Sequence, residues 1–521
     1  MEQRDSFSIL YADETERHMQ EKQPDCFTDI ALDRLFSSFT DLSGKLQAVF
    51  YTPLSGEKDI RYRQDILRDI EQNQKFFSNF ANRLNIIAGV MISIRKSLSS
   101  SGSHLSYIEK GRLFDCAERY CNLISEWYEA NSSTYYRSAG ICTLSEYIEA
   151  YYKSESFASL QRNVEELRSE FNSIHYCMLI NDGTIRVRKY ENQPDLSEKI
   201  ISLFDRFGHG DAKDYRQKHA SVPYAEHVEE AVIRMMSRLY KETFSRLDTF
   251  CSQYIRFENP VLLNFADELR FYLFWLDVTV SLKKAGLSFC YPEVSADPVL
   301  ISASDTFDIV LAEKKEGNVV VNDFELRKPE RVIVITGPNQ GGKTTFARLF
   351  AQIHWLASIG LTVPGSEAHL KLFDTVYTHF GKTESASPEN GKLQDDLLRL
   401  HAILEKATSH SIIILNEIFA STTAEDAVKL GLRMMEKIVQ SGAAAVVVTF
   451  LDELAEYGPE TVSMMSTVDG SGSGRRTFRI YRKPPDGLAY AVQLAEKYGL
   501  TYDCLCRRLA DADKNTPDVQ K

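Results

Sequence analysis

Apolar residues in the first 300 positions recur at intervals of three and four, which is the spacing of amphipathic helices. Segments with this spacing cover about 25–39, 59–84, 110–130, 143–173, 224–255 and 260–285. The last two are long enough to span tens of ångströms, at about 1.5 Å per residue. Their pattern fits both a pair of lever helices and an ordinary helical bundle. The first part of the chain is therefore predicted to be a mostly helical core and lever.

One stretch interrupts the helical pattern. Two β-rich runs, 175–180 and 184–190, flank an Asn-Asp-Gly turn at 181–183. An Asp-Gly turn between two such runs predicts a β-hairpin. The second run carries the basic side chains Arg186, Arg188 and Lys189. These side chains either contact a phosphate backbone or form a solvated strand face, and the solvated face is the commoner case.

From about residue 300 the pattern changes to short, β-branched apolar runs that alternate with helical segments, as in a doubly wound α/β sheet. Strand-like runs lie at 308–311, 318–321, 332–336, 411–415 and 443–449. We therefore divide the chain into a helical part at 1–300, an α/β domain at 301–510 and a polar tail at 511–521.

The run 332–336 leads into a glycine-rich loop and then a helical segment. The loop and the first helical residues are Gly337, Pro338, Asn339, Gln340, Gly341, Gly342, Lys343, Thr344 and Thr345, which fit the P-loop pattern G-x-x-x-x-G-K-T. In a P-loop, backbone N–H groups surround phosphate oxygens at the positive end of a helix. Lys343 is expected to reach the β- and γ-phosphates, and the Thr344 hydroxyl to bind Mg²⁺. The order strand, loop, helix is the one the motif requires, so these residues predict an ATP–Mg²⁺ site in an α/β P-loop NTPase domain.

A second buried run, 411–415, ends in Asn416 and Glu417. A carboxylate at a strand end about 70 residues beyond a P-loop is where such ATPases keep the group that orients the attacking water. Glu417 is the predicted catalytic residue. The alternative is an ordinary acidic residue at the end of a strand.

Composition narrows the function classes further. The formal net charge of −12 over 521 residues argues against a wholly basic protein that coats nucleic acid, while a local basic groove remains compatible with it. Nine cysteines without a C-x-x-C pair predict reduced thiols and a cytoplasmic location. The first ten residues lack the apolar region of a signal peptide. The sequence has no run of about 18 apolar residues, so no membrane span is predicted.

Several stretches resemble the MutS family, the ATPases of DNA mismatch repair and their relatives. They are 337–345, close to the family's GPNMGGKST loop, then 320–326, 355–364, 373–381 and 412–423, with weaker likeness at 52–54, 61–67 and 291–294. The resemblance implies a homodimer in which two P-loop domains enclose ATP and helical arms clamp DNA by its backbone or shape. It also implies a role in mismatch repair or related repair or recombination. Thr344 and residue 416 would hold Mg²⁺.

The chain departs from the family pattern at positions of the site. Asn416 stands where the family has an Asp, and Phe450 stands where it has a His after the third strand. Val319 stands where an aromatic residue stacks on adenine. Gly391 stands where a serine completes the partner subunit's site, and Leu393 and Asp396 replace the Phe and Glu near that serine. These departures predict a slow ATPase or an ATP-binding switch. Core-like sequence by about residue 30 leaves no room for the family's Phe-x-Glu reading module, so we do not expect direct mismatch reading.

Two functions stay open after these observations. The first is a MutS-like dimeric ATPase that clamps DNA, and DNA-stimulated ATP hydrolysis is its signature. The second is a nucleotide-gated interaction protein with weak or no ATPase activity and no DNA binding. The acidic charge balance and the altered site residues favour the second somewhat.

Overall fold

Helices make up most of the first half of the chain, and strands are concentrated in the second half. The computed structural model describes residues 7–12, 19–37, 44–100, 104–131, 135–181, 184–192, 199, 225–381, 392–419, 422–468, 476–485, 502 and 504–506. Its helices are α1 (Cys26–Ile30), α2 (Leu32–Ser37), α3 (Gly44–Tyr51), α4 (Glu57–Gln72), α5 (Gln74–Ser100), α6 (Tyr107–Asn131), α7 (Ala139–Tyr152), α8 (Glu155–Ser173), α9 (Ala225–Leu239), α10 (Lys241–Gln253), α11 (Pro260–Lys284), α12 (Ile309–Lys314), α13 (Lys343–Ser358), α14 (Lys392–Lys406), α15 (Ala424–Ser441) and α16 (Asp452–Ala455). None of these described helices is long and apolar enough to cross a membrane.

The strands follow the same chain order. They are β1 (Tyr176–Asn181), β2 (Thr184–Lys189), β3 (Phe289–Cys290), β4 (Glu293–Ser295), β5 (Leu300–Thr306), β6 (Asn322–Arg327), β7 (Val332–Thr336), β8 (Val363–Pro364), β9 (Glu367–Lys371), β10 (Val376–Phe380), β11 (Ile412–Asn416), β12 (Ala444–Val448), β13 (Thr461–Val468) and β14 (Arg476–Arg482). The strand expected at 332–336 is confirmed at both ends, and those expected at 411–415 and 443–449 are confirmed within one residue.

Several predicted helical segments are each divided into two helices. The breaks fall at Ala31, Asn73, Lys153–Ser154 and Tyr240. Ala31 has a φ of 62°, in the left-handed region that ends a helix. The Ser154 hydroxyl accepts the N–H of Phe157 and so caps the start of α8. Periodicity alone did not reveal these breaks, because the apolar stripe continues across each of them.

One compact unit comprises residues 1–9 and 72–270. Its core is organised around the fully buried Trp127 of α6. Four phenylalanine rings surround the indole with centroid distances of 4.3 to 5.8 Å, from Phe76, Phe77, Phe80 and Phe265. These edge-on aromatic contacts join α5, α6 and α11 residues that lie far apart in sequence.

The predicted hairpin belongs to this unit. Strands β1 and β2 pair antiparallel, from Tyr176 opposite Lys189 to Asn181 opposite Thr184. Arg186 and Arg188 are exposed on β2. The hairpin prediction is confirmed by this register, while two of its turn residues, 182 and 183, lie outside the described residues.

The other unit comprises residues 10–71 and 271–521. It therefore includes two segments, 10–71 and 271–300, that the sequence analysis grouped with the helical part. Its main sheet has the order β10-β11-β12-β7-β13-β14. The first five strands in this order run parallel to one another, and β14 runs antiparallel to β13. All residues of β7, β11 and β12 are buried, as in a parallel sheet that is covered on both faces.

Packing on this sheet explains its apolar runs. One face contributes Val332, Val334, Ile413, Leu415, Ala445 and Val447 to a core shared with Met434, Met435 and Ile438 of α15. Helix α13, which is almost wholly buried, contacts β11 and β12. A second, four-stranded sheet has the order β4-β9-β5-β6.

The predictions of two strands before the P-loop are wrong. Residues 308–311 begin the helix α12, where the Asp308 carboxylate caps the first turn by accepting the Leu311 N–H at 3.0 Å. Residues 318–321 form no strand, and β6 begins at Asn322. A four-residue apolar run does not separate a strand from a buried helix, and here the acidic cap decides for the helix.

Candidate nucleotide-binding site

The candidate site lies at the carboxyl edge of the main sheet. β7 ends at Thr336, between β12 and β13, and the glycine-rich loop follows directly. The register places Val448 beside Ile335 and Asn416 beside Val448, so three strands end at the same level. Ligands of open α/β sheets bind at this edge. The topology therefore brings the P-loop and the residues after β11 and β12 to one place.

Glycine is required in the loop for two reasons. Gly337 and Gly342 have φ values of 108° and 93°, which residues with a Cβ rarely adopt. A Cβ added to Gly341 would lie 2.5 Å from the Ser466 Oγ of β13. The loop backbone is thus pressed against β13, with Pro338 buried and Asn339 and Gln340 exposed at its tip.

Lys343 opens helix α13 and is only 4% exposed. Its Nζ donates to the carbonyl oxygen of Gly337 at 2.7 Å and lies 4.0 Å from the ring centroid of Phe450. Burial lowers the pKa of this ammonium from 10.5 to about 8, against the opposing effect of the Glu417 carboxylate. Because the Lys343 ammonium group is held beside the loop, it can form an ion pair with a phosphate group bound there.

Thr344 and Asn416 form the candidate magnesium site. The Thr344 hydroxyl donates to Asn416 Oδ1 at 3.0 Å, which joins the start of α13 to the end of β11. Oxygen ligands of this kind fit Mg²⁺, which prefers oxygen and usually keeps several waters. The neutral amide oxygen lacks the negative charge of a carboxylate, so Asn416 offers the ion a weaker ligand.

Glu417 follows Asn416 with a φ of 54°, a strained value for a residue with a long side chain. Its N–H donates to the carbonyl oxygen of Val448 at 2.9 Å, which fixes the turn after β11 to β12. The side chain lines the same cavity as Lys343 and Thr344. Strain of this kind is typical of functional turns, and it directs the carboxylate into the P-loop cavity.

The segment expected to complete a partner's site is described only in part. Gly391 lies outside the described residues, and Leu393 and Asp396 lie in α14. Asp396 accepts a hydrogen bond from Nε2 of the buried His379 on β10 at 3.0 Å. The structure therefore gives Asp396 a contact within its own chain.

A cavity of about 700 Å³ extends from the P-loop. Its lining includes residues 340–345, Glu417, Val319, Lys315 and Phe478. This volume lies within the range of small-ligand pockets. Val319 is therefore in the cavity wall, at the position where the resemblance implied an aromatic.

Phe478 was not found from the sequence. Ser466 pairs with Ile480 and Val468 with Arg476, so β14 bulges between these pairs, and Phe478 has a φ of 58°. Asn322 fixes the bulge, because its side chain accepts the Ile480 N–H at 2.8 Å and donates to the Phe478 carbonyl oxygen at 3.3 Å. A bulge can redirect a side chain beside a site. The alternating sequence of β14 gave no signal of this irregularity.

The part of the chain that contains this site is similar to known proteins. The family model described as MutS domain V matches residues 333–482. The DNA mismatch repair protein MutS of Thermus aquaticus is 30% identical over 236 residues, 45% of this chain and 28% of that protein. The MutS protein of Thermotoga sp. (strain RQ2) is 25% identical over 302 residues, 55% of this chain and 37% of that protein.

A third relative has a different name. The endonuclease MutS2 of Thermus thermophilus is 30% identical over 192 residues, 36% of this chain and 26% of that protein. The chain thus spans between about a quarter and two fifths of the length of these relatives. The domain match includes the P-loop, Asn416, Glu417 and Phe450. The domain V match and these relatives support a MutS-family protein.

Proposed function

We propose that this protein is a MutS-like ATPase that binds ATP and Mg²⁺ at the P-loop and couples nucleotide binding to contact with DNA. The observation that supports this most is the convergence of Lys343, Thr344 and Glu417 on one cavity at the carboxyl edge of the sheet. The MutS domain V match supports the coupling to DNA repair. Mismatch repair or a related repair or recombination process is the proposed setting.

Each site residue has a role in this proposal. The loop N–H groups and the start of α13 bind the phosphates, and Lys343 adds a positive charge beside them. Thr344 and Asn416 would hold Mg²⁺, which would supply positive charge to neutralise the phosphate oxygens. Glu417 orients the attacking water and accepts its proton. Because Asn416 is neutral and Phe450 donates no hydrogen bond, hydrolysis is slow and binding is the main event.

Nucleotide binding would act through a homodimer. Two P-loop domains would enclose ATP between them, and ATP would favour one arrangement of the helical arms over another. A ligand shifts such an equilibrium only by its different affinity for the two arrangements. Hydrolysis would then return the arms to the arrangement of the empty protein.

The hairpin β1–β2 is the proposed DNA contact in the first unit. Arg186 and Arg188 stand opposite Leu179 and Cys177, which places both arginines on one face of the ribbon. Among the described residues neither arginine has an acidic partner within 4.0 Å. Unpaired guanidinium groups on an exposed strand suit phosphate contact. Replacing both by glutamine should lower the slope of log affinity against log salt by about two, because about one counterion is released per phosphate contact.

The test of the proposed function is steady-state ATP turnover with and without duplex and branched DNA, measured beside Lys343→Ala. We expect turnover that DNA raises and that the variant loses. Unchanged ATP affinity in Lys343→Ala would refute the P-loop assignment. Lys343→Arg, which keeps the charge, is the matched control for general damage to α13.

A second candidate function rests on a specific observation. Phe450 covers Lys343, and Asn416 replaces a charged magnesium ligand, so the site can bind nucleotide while turning it over negligibly. The protein would then be a nucleotide-gated interaction protein without DNA binding. Tight ATP binding, near-zero turnover and no retention of DNA would favour this function over the first.

A further inference from the structure

Phe450 has an unusual position for a half-exposed aromatic residue. Its side chain is 50% exposed, yet its ring covers the buried ammonium of Lys343 at 4.0 Å. The residue before it is fixed, because the Thr449 N–H donates to the carbonyl oxygen of Ile335 at 3.1 Å. The Thr449 hydroxyl also accepts the Leu451 N–H at 3.1 Å. The backbone on both sides therefore holds the ring over the P-loop.

The contact with Phe450 covers part of the Lys343 ammonium group, whose N–H donors a triphosphate needs. An ammonium group has three N–H donors, and Lys343 already gives one to Gly337. The face of an aromatic ring attracts a cation but accepts no strong hydrogen bond in the way a phosphate oxygen does. The ring thus covers a second side of the ammonium group, besides the one bonded to Gly337. One direction remains for a phosphate oxygen.

We propose that Phe450 is a specificity-determining residue that makes the resting site favour a nucleoside diphosphate over a triphosphate. This inference rests on the proposed function, because it concerns the same P-loop. The loop N–H groups and the remaining donor of Lys343 bind a β-phosphate without movement of the ring. A γ-phosphate needs Lys343 to bridge two phosphates, so it must displace Phe450. The half-exposed ring can move outward into solvent, which admits the triphosphate at a loss of affinity.

The size of the effect follows from the contact that is lost. A cation–π contact at a partly desolvated site corresponds to a change in affinity of about 2- to 30-fold. Unmodified protein is therefore expected to bind ADP about 2- to 30-fold more tightly than a non-hydrolysable β,γ-imido analogue of ATP. Removing the ring should raise the affinity for the analogue and change that for ADP less than about twofold.

The experiment is calorimetric titration of the full chain with ADP and with the analogue, both with Mg²⁺. The variants are Phe450→Ala, which removes the ring, and Phe450→His, which restores a donor. The matched control is Tyr481→Ala, because Tyr481 is 49% exposed, much like Phe450, and its ring makes no cation–π contact among the described residues. We expect Phe450→Ala to bring the two affinities together, Phe450→His to favour the analogue, and the control to keep the preference for ADP.

Two results would overturn the inference in distinguishable ways. Equal or tighter binding of the analogue by the unmodified protein would refute the role of Phe450 and leave the P-loop assignment intact. A preference for ADP that survives in Phe450→Ala would refute it equally. Failure of the unmodified protein to bind either nucleotide would refute the proposed function, and this inference with it.

Discussion

Nucleotide affinity should fall as pH rises from 7 to 9, because Lys343 loses its proton in this window. Burial lowers the pKa of the ammonium to about 8 in the empty protein. Phosphate groups beside it favour the charged form, so binding raises the pKa again. The charged form of Lys343 is the one that binds phosphate. Above pH 8, nucleotide binding therefore requires that Lys343 first take up a proton.

The magnitude can be worked from that pKa. With a pKa of about 8, about nine tenths of Lys343 is protonated at pH 7 and about one tenth at pH 9. Affinity proportional to the protonated fraction therefore drops about tenfold between these two pH values. The second ionisation of a phosphate group, with a pKa of about 6, is nearly complete at pH 7 and contributes little above it.

The assay is ADP titration at constant ionic strength from pH 7 to pH 9. ADP avoids turnover, and constant salt removes differences in screening. Lys343→Arg is the control, because a guanidinium stays charged throughout this range. The variant should show an affinity that is nearly independent of pH. Parallel curves for the unmodified protein and the variant, both flat, would show that Lys343 is not the titrating group and would refute the reasoning.

Three further predictions concern single positions of the site. Glu417→Gln should lower ATP turnover by at least about a hundredfold and accumulate a nucleotide-bound dimer in size-exclusion chromatography; stable ATP-dependent dimers of the unmodified protein would mean that Glu417 does not limit turnover. The double variant Asn416→Asp, Phe450→His should raise kcat about tenfold or more, and no gain would assign the chemistry to other residues. Gly341→Ala should weaken nucleotide binding at least about tenfold, because its Cβ would lie 2.5 Å from a β13 side-chain oxygen. Gly89→Ala, on a helix with open space around the new Cβ, is the control and should leave binding unchanged.

The sequence was most informative where one motif carries both local structure and chemistry. The strand Val332–Thr336 was predicted from its β-branched apolar run, and the helix after the glycines from its helical pattern. The P-loop motif requires both, so local structure and chemistry agree. Glu417 was predicted at the end of a buried strand, and the register shows that this strand ends level with β7 and β12. The sequence thus placed Asn416 and Glu417 at the correct edge without any contact information.

Long-range geometry was beyond the sequence. The bulge that brings Phe478 to the cavity depends on Asn322, more than 150 residues away, and nothing in the local pattern of β14 indicates it. The contact of Phe450 with Lys343 was missed for a similar reason. The sequence showed that Phe450 donates no hydrogen bond, but the position of its ring depends on how the turn after β12 is held. Side-chain position after a strand is set by tertiary contacts rather than by periodicity.

The retained and altered residues of the site divide by role. The residues proposed to bind phosphate keep the family's P-loop pattern: the loop glycines pack on β13, and Lys343 donates a hydrogen bond to Gly337. The altered residues, Asn416 and Phe450, lie where the proposed function places the metal ion and the γ-phosphate. This division favours a protein in which nucleotide binding, rather than turnover, carries the signal. Measuring affinity and kcat separately in each variant is therefore the informative design.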